Sequence, residues 1–179
     1  MQSSFCRWFG LASLVLLLLS GCSGTDKKPP VSDYQPSGPG NTQAARDALQ
    51  LQGRPYVYGG QSPEVGFDCS GLVAYVYRRQ GLKLPRTTES LAYFLPAVPP
   101  DQRLPGDLLF FNTGKPFSHV GIYVGGDNFV HAPSERTGRV MLSNLHQPYW
   151  RERFIGVRRP GATQPLSLNS RQADVCLLN

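Results

Sequence analysis

The spacing of apolar residues changes character several times along the chain, and each change predicts a different kind of structure. From Trp8 to Leu19 most positions are apolar, with Leu14-Val15-Leu16-Leu17-Leu18-Leu19 unbroken. This run falls short of the roughly 20 apolar residues that a membrane-crossing helix needs. Residues 23–41 are rich in Ser, Gly, Pro and Lys and show no apolar period, the pattern of a disordered tether. As a coil it would reach on the order of 25 Å, and about 60 Å at full stretch. Helical spacing begins at residue 42. Ala45, Ala48 and Leu49 share a face of a helix predicted over 42–52, with Asn41 as cap and Gly53 as stop. Leu72, Val73 and Val76 share a face of a second helix over 69–80, with Asp68 at its cap and Gly81 closing it. A short third helix over 88–95 is stopped by Pro96. After Pro105-Gly106-Asp107 the rhythm becomes that of strands. Segments 108–111, 119–124, 128–132, 139–143 and 154–158 are short, rich in β-branched and aromatic residues, and divided by Gly, Asn, Asp or Pro. Helices followed by consecutive strands predict an α+β domain with an antiparallel sheet.

The ends add a second layer. The apolar run closes on Leu19-Ser20-Gly21-Cys22, where small residues give a signal peptidase access to the backbone ahead of a cysteine. This resembles a bacterial lipoprotein signal, with an ordinary secretory signal as the alternative. The expected organisation is a signal peptide over 1–21, lipidated Cys22 and its tether over 22–41, one domain over 42–160, and a polar tail over 161–179. Two or more acyl chains on Cys22 would anchor stably. Ser23, a non-aspartate after the cysteine, implies by the same resemblance the periplasmic face of an outer membrane. Lys and Arg outnumber Asp and Glu by 18 to 12, but the positive residues are scattered and no nucleic-acid motif accompanies them, so nucleic acid is not expected as a partner.

Cys6 leaves with the signal and Cys22 carries lipid, so Cys69 and Cys176 remain. In an oxidising compartment these two could pair. A free, ionised Cys69 is the alternative that the local sequence favours. In Asp68-Cys69-Ser70-Gly71 the cysteine falls in the first turn of a predicted helix, where unpaired N–H groups and the helix dipole favour a thiolate. Gly71 is expected to leave room for a substrate carbonyl, and the Cys69 N–H is a candidate oxyanion donor. A buried structural cysteine is the competing reading. Two histidines shift the balance. His119 and His131 lie in consecutive predicted strands separated by Gly125-Gly126-Asp127. With those three residues as the loop, opposed residue numbers sum to 252, an even number that puts both imidazoles on one face of the sheet. A bulge would alter the count. One cysteine and two histidines suggest a nucleophile, a base and an orienter. Zinc is the rival use of these residues, without a closely spaced ligand pair to support it. The third histidine, His146, sits in a polar stretch and is expected at the surface.

Together these residues resemble the NlpC-type murein endopeptidases, a group of papain-like cysteine peptidases. The matching pieces are Gly53-Arg54-Pro55-Tyr56-Val57-Tyr58-Gly59-Gly60, Asp68-Cys69-Ser70-Gly71, Leu84-Pro85-Arg86-Thr87-Thr88, Pro105-Gly106-Asp107-Leu108-Leu109-Phe110-Phe111, His119-Val120-Gly121-Ile122-Tyr123-Val124, Phe129-Val130-His131-Ala132 and Arg158-Arg159, in the family's order. The resemblance implies a papain-like fold with N-terminal helices packed on a central antiparallel sheet. It implies Cys69 as nucleophile, His119 as base and His131 as orienter, and no cofactor. Tyr56 matches a tyrosine beside the nucleophile that helps hold substrate or oxyanion, with core packing as its alternative. Asp68 and Ser70 match positions that contact a substrate amine in some members, and Asp68 equally suits a plain helix cap. The implied substrate is a peptidoglycan stem or cross-link peptide, cut by a monomeric protein held at the membrane by its lipid. A related amidase and a non-catalytic murein-binding lipoprotein are the other readings.

Overall fold

The computed structural model describes residues 40–161. The signal segment, Cys22, the tether up to residue 39, Cys176 and the tail beyond residue 161 lie outside the described residues. Among the described residues no helix is long and apolar enough to cross a membrane.

Three N-terminal helices form where spacing and caps predict them. In α1 (Thr42–Gln50) the Asn41 side chain accepts from the Ala44 N–H at 3.0 Å, and Gly53 turns the chain away at φ 82°. In α2 (Cys69–Arg78) Asp68 caps the first turn. In α3 (Thr88–Phe94) the Thr87 hydroxyl accepts from the Ser90 N–H at 3.1 Å. Between α1 and α2 lies a minimal hairpin, β1 (Gln61–Ser62) and β2 (Gly66–Phe67).

The main sheet comprises β3 (Ala97–Val98), β4 (Leu108–Phe111), β5 (His119–Gly125), β6 (Asn128–His131), β7 (Met141–Asn144) and β8 (Phe154–Arg158), with a short helix α4 (Pro148–Arg153) before β8. Its order is β3-β8-β4-β5-β6-β7, antiparallel throughout. Strand alternation sorts the side chains into two cores. Leu108, Phe110, Val120, Ile122, Val124 and Val130 face the helices and bury Ala45, Ala48, Leu72, Val73 and Val76. Leu109, Phe111, Tyr123, Phe129 and Val157 face the other way, under Trp150 of α4. The fold is thus α+β, with the helices packed on an antiparallel sheet.

The β5–β6 connection differs in detail from the expected three-residue loop. Ile122 pairs with Val130 and Tyr123 with Phe129, the even sum of 252, but the register shifts so that Gly125 pairs with Asn128. Gly126 (φ 54°) and Asp127 (φ 60°) form a two-residue turn of left-handed residues, and Gly125 (φ 101°) takes up a bulge. Such a turn matches the strand twist, and the bulge restores the parity that a two-residue loop alone would have reversed.

One ion pair ties the residue after β8 to the residue before β4. Arg159 donates to both carboxylate oxygens of Asp107, each at 2.8 Å, while the same carboxylate accepts from the Leu104 N–H at 2.7 Å. Asp107 is nearly inaccessible, and this bidentate partner is what allows a carboxylate to stay there.

Candidate active site

Cys69 is the first residue of α2 and a free thiol. Its position is held from the residue before it. The Asp68 carboxylate accepts from the Gly71 N–H at 2.6 Å and the Gly59 N–H at 3.0 Å. It also receives both terminal nitrogens of Arg86, at 3.0 and 2.9 Å. Ser70 donates to Asp68 at 3.3 Å and accepts from Arg86 at 2.8 Å. The two residues expected to meet a substrate amine therefore form, with Arg86, a network that fixes the start of the helix. Arg86 belongs to a matching motif but carries no role readable from the sequence; a cation placed 16 to 18 residues beyond its partners leaves no local trace there.

Gly71 corrects an expectation. A Cβ there would run into the Gly60 carbonyl and come within 2.9 Å of Asp68 Oδ1. Glycine at this position lets the β1 segment pack against the helix and leaves no space for substrate.

The sulfur lies 3.6 Å from Thr88 Oγ1, and the backbone N–H groups of Val120 and Ser70 also point to it. These donors favour the thiolate, but burial is the larger influence. Burial pushes the Cys69 thiol up, and the Asp68 carboxylate pushes the same way. Burial thus opposes the expected preformed thiolate, because desolvation outweighs the helix N-terminus.

His119 opens β5 and His131 ends β6, and both project from the sheet face that carries the aromatic core. His119 Nε2 lies 2.8 Å from His131 Nδ1, and His131 Nε2 lies 2.9 Å from Ser143 Oγ on β7. Both rings are buried. Trp150 stacks on His119 with centroids 5.4 Å apart and meets His131 edge-on at 4.7 Å, while Phe129 touches His131 at 4.8 Å. Burial holds His119 down to about 4, and burial together with His119 holds His131 well below the usual histidine range. Both are neutral near pH 7. Among the described residues His119 Nδ1 has no hydrogen-bond partner, and no hydrogen bond joins it to Cys69. The sulfur and the imidazole instead line one cleft, with a volume of about 770 Å³.

Tyr56 stands on the wall of that cleft and also lines an adjoining hollow of about 660 Å³, bounded by Pro133, Glu135, Arg136 and Trp150. Burial raises its hydroxyl pKa, helped by the proximity of Cys69 and Asp68. His146 is at the surface and bonds Asp127 at 2.9 Å. No group of His, Cys, Asp and Glu suited to a metal occurs among the described residues.

Ser143, Thr88 and Trp150 join the site without a signal that marks them in the sequence as chemistry-bearing. Ser143 is within reach of strand parity: His131 pairs with Met141, so residues 131 and 143 share a face. Trp150 is not, since α4 is only six residues long and has no side-chain cap.

Residues 53–159 match the NlpC/P60 family. The probable endopeptidase NlpC of Escherichia coli is 40% identical over 157 residues, which cover 84% of this chain and 98% of that protein. The murein DD-endopeptidase MepH of Escherichia coli is 40% identical over 125 residues, covering 66% and 45%. A crystal structure of a lipoprotein-like NLP/P60-family protein from Staphylococcus aureus superposes with a TM-score of 0.60 at 35% identity, covering 71% of this chain and 44% of that one. The chain spans half or less of the length of the first curated relatives that it matches. With the matched region running unbroken from the segment ahead of the cysteine, through both histidines, to the arginine that locks the sheet, the chain belongs to the NlpC/P60 family.

Proposed function

We propose that the protein is a peptidoglycan endopeptidase that hydrolyses an amide bond of murein stem or cross-link peptides through a thioester on Cys69. One observation carries this reading: a thiol at a helix N-terminus shares a cleft with His119, whose far nitrogen is held at 2.8 Å by His131. The endopeptidase names of the relatives support the substrate class.

Burial keeps both partners uncharged at rest, so proton transfer accompanies attack. His119 Nδ1 takes the thiol proton as sulfur adds to the carbonyl carbon. The oxyanion is received by the Cys69 N–H and the Tyr56 hydroxyl. When the C–N bond breaks, His119 returns its proton to the nitrogen and the amine leaves. Water then gives a proton to His119 and its hydroxyl to the thioester. Collapse releases the carboxylic acid, and the proton goes back to sulfur. Asp68, Ser70 and Arg86 border the same cleft and would receive the amino end of the substrate once it displaces part of their network. Cys22, preceded by small residues and followed by Ser23, would anchor a single copy by lipid at the periplasmic face of the outer membrane.

Digestion of purified murein followed by mass analysis tests the reading. Fragments ending at γ-D-glutamate identify a D,L-cut, and monomers released from dimers identify a cross-link cut. Bare lactyl groups on the sugars would mean an amidase, and binding without any fragments would mean a non-catalytic module. Replacing Cys22 by Ala should free the protein from the membrane with cleavage intact; continued retention would contradict the anchor.

A further inference from the structure

Among the buried polar groups that the proposed reaction leaves unused is the Ser143 hydroxyl, at the far end of the histidine pair. We propose that Ser143 is a positioning residue whose Oγ accepts the Nε2 proton of His131 and thereby supports His119 as the base. The inference rests on His119 acting on Cys69.

The direction in which protons must point decides the role. His119 Nε2 faces His131 Nδ1 at 2.8 Å, and His131 Nε2 faces Ser143 Oγ at 2.9 Å. A serine hydroxyl can donate or accept, so the distances alone let the chain run either way, but a base at His119 Nδ1 must be bare, which already puts the resting proton on Nε2. Once His119 takes the thiol proton both its nitrogens are protonated, and only one direction remains. His119 Nε2–H must donate to a bare His131 Nδ1, so the His131 proton is on Nε2 and needs an acceptor. The groups that surround His131 leave little choice of acceptor: Phe129 and Trp150 are aromatic, and His119 is already used. Among the described residues no charged side chain pairs with either ring. Ser143 is itself buried, so bulk water does not substitute for it. His131 occupies the place that a carboxylate or amide fills in other nucleophile–histidine sites, and the serine hydroxyl stands directly behind it.

Ser143 is on β7, in register with Phe129 across from it. Its placement separates this role from substrate contact, for Ser143 lines neither lobe of the cleft.

The test uses the full chain labelled with ¹⁵N at histidine, and the variants Ser143→Ala and Ser143→Thr. In the wild type at neutral pH, His131 Nε2 should give the signal of a protonated nitrogen and Nδ1 that of a bare one; the reverse assignment overturns the proposal. Ser143→Ala should lower kcat between about 10- and 100-fold, part of the roughly 10²–10⁴ that a general base contributes, with KM within about twofold. It should slow alkylation of Cys69 by iodoacetamide to a similar degree, and Ser143→Thr should restore most of both. Wild-type kcat and alkylation in a folded Ser143→Ala protein would overturn the proposal. If that variant does not fold, the wild-type nitrogen signals decide. Should the protein release no murein fragments, the proposed function fails alone, because alkylation and the histidine signals still report on Ser143.

Discussion

The two halves of the candidate site are built from opposite materials. On one side Cys69 starts a helix whose first turn is fixed by charge: the Asp68 carboxylate, the Arg86 guanidinium and the Ser70 hydroxyl, with Gly59 and Gly71 N–H groups filling the remaining positions. On the other side His119 and His131 sit in an aromatic box of Phe111, Phe129 and Trp150, with no charged group pairing with them among the described residues. The contrast teaches how each half is kept ready. The polar rim fixes the start of the helix that carries the sulfur. The dry box keeps both imidazoles neutral by burying them away from water.

Breaking either half at its reacting atom should have the largest effect. Cys69→Ala and His119→Ala are each expected to reduce murein cleavage to background while the circular dichroism spectrum is retained. Wild-type rates in Cys69→Ala would contradict the mechanism.

Opening the box comes next. Trp150→Ala removes a nearly buried indole from both rings, and the expected loss is about 3 kcal/mol of stability, read from the urea midpoint. Cleavage should fall as well, because water then reaches the dyad, whereas Trp150→Phe should retain most of both. A Trp150→Ala protein with unchanged midpoint would show that the box is not structural.

Acid should act on the box. Both histidines are held below their ordinary value of about 6.5, His119 at about 4 and His131 in the same direction. Between these limits the unfolded chain binds protons that the folded one refuses. Stability is therefore full above about pH 6.5 and declines as the pH falls towards 4. His119 alone accounts for about 3 kcal/mol of that decline. Denaturant midpoints across this range should become less steep in His131→Asn, which removes one of the two groups; an equally steep profile would show that His131 takes no part in the acid sensitivity.

The smallest effect is expected on the rim. Asp68→Ala removes a helix cap, worth about 1 kcal/mol, and a pair with Arg86 that is partly solvated and adds less than that. It also removes a negative charge that raises the Cys69 pKa. Alkylation of the thiol should thus become faster at a given pH even as stability drops, an opposition that a purely structural role would not produce.

The rim is easier to read in the sequence than the box. Asn41 and Asp68 announce helices because a capping side chain and the N–H it satisfies are three residues apart. The shared face of His119 and His131 follows from counting, since strand pairing has a period of two. The route to that count is hidden, as it needs both a two-residue turn and a bulge at Gly125. Trp150 is illegible because a six-residue helix is too short to show a period. The charge state of Cys69 escapes the sequence for another reason. Helix position is visible there, while the burial that overrides it comes from tertiary packing that no local pattern records.

The central claim is that an acyl group passes through the sulfur of Cys69, and trapping that species tests it most directly. Rapid acid quenching of the protein mixed with murein peptides, followed by peptide mass analysis, should reveal the acyl half of the substrate on the fragment containing Cys69, with no such adduct in His119→Ala. Release of products without any adduct, at a rate that survives Cys69→Ala, would contradict the account.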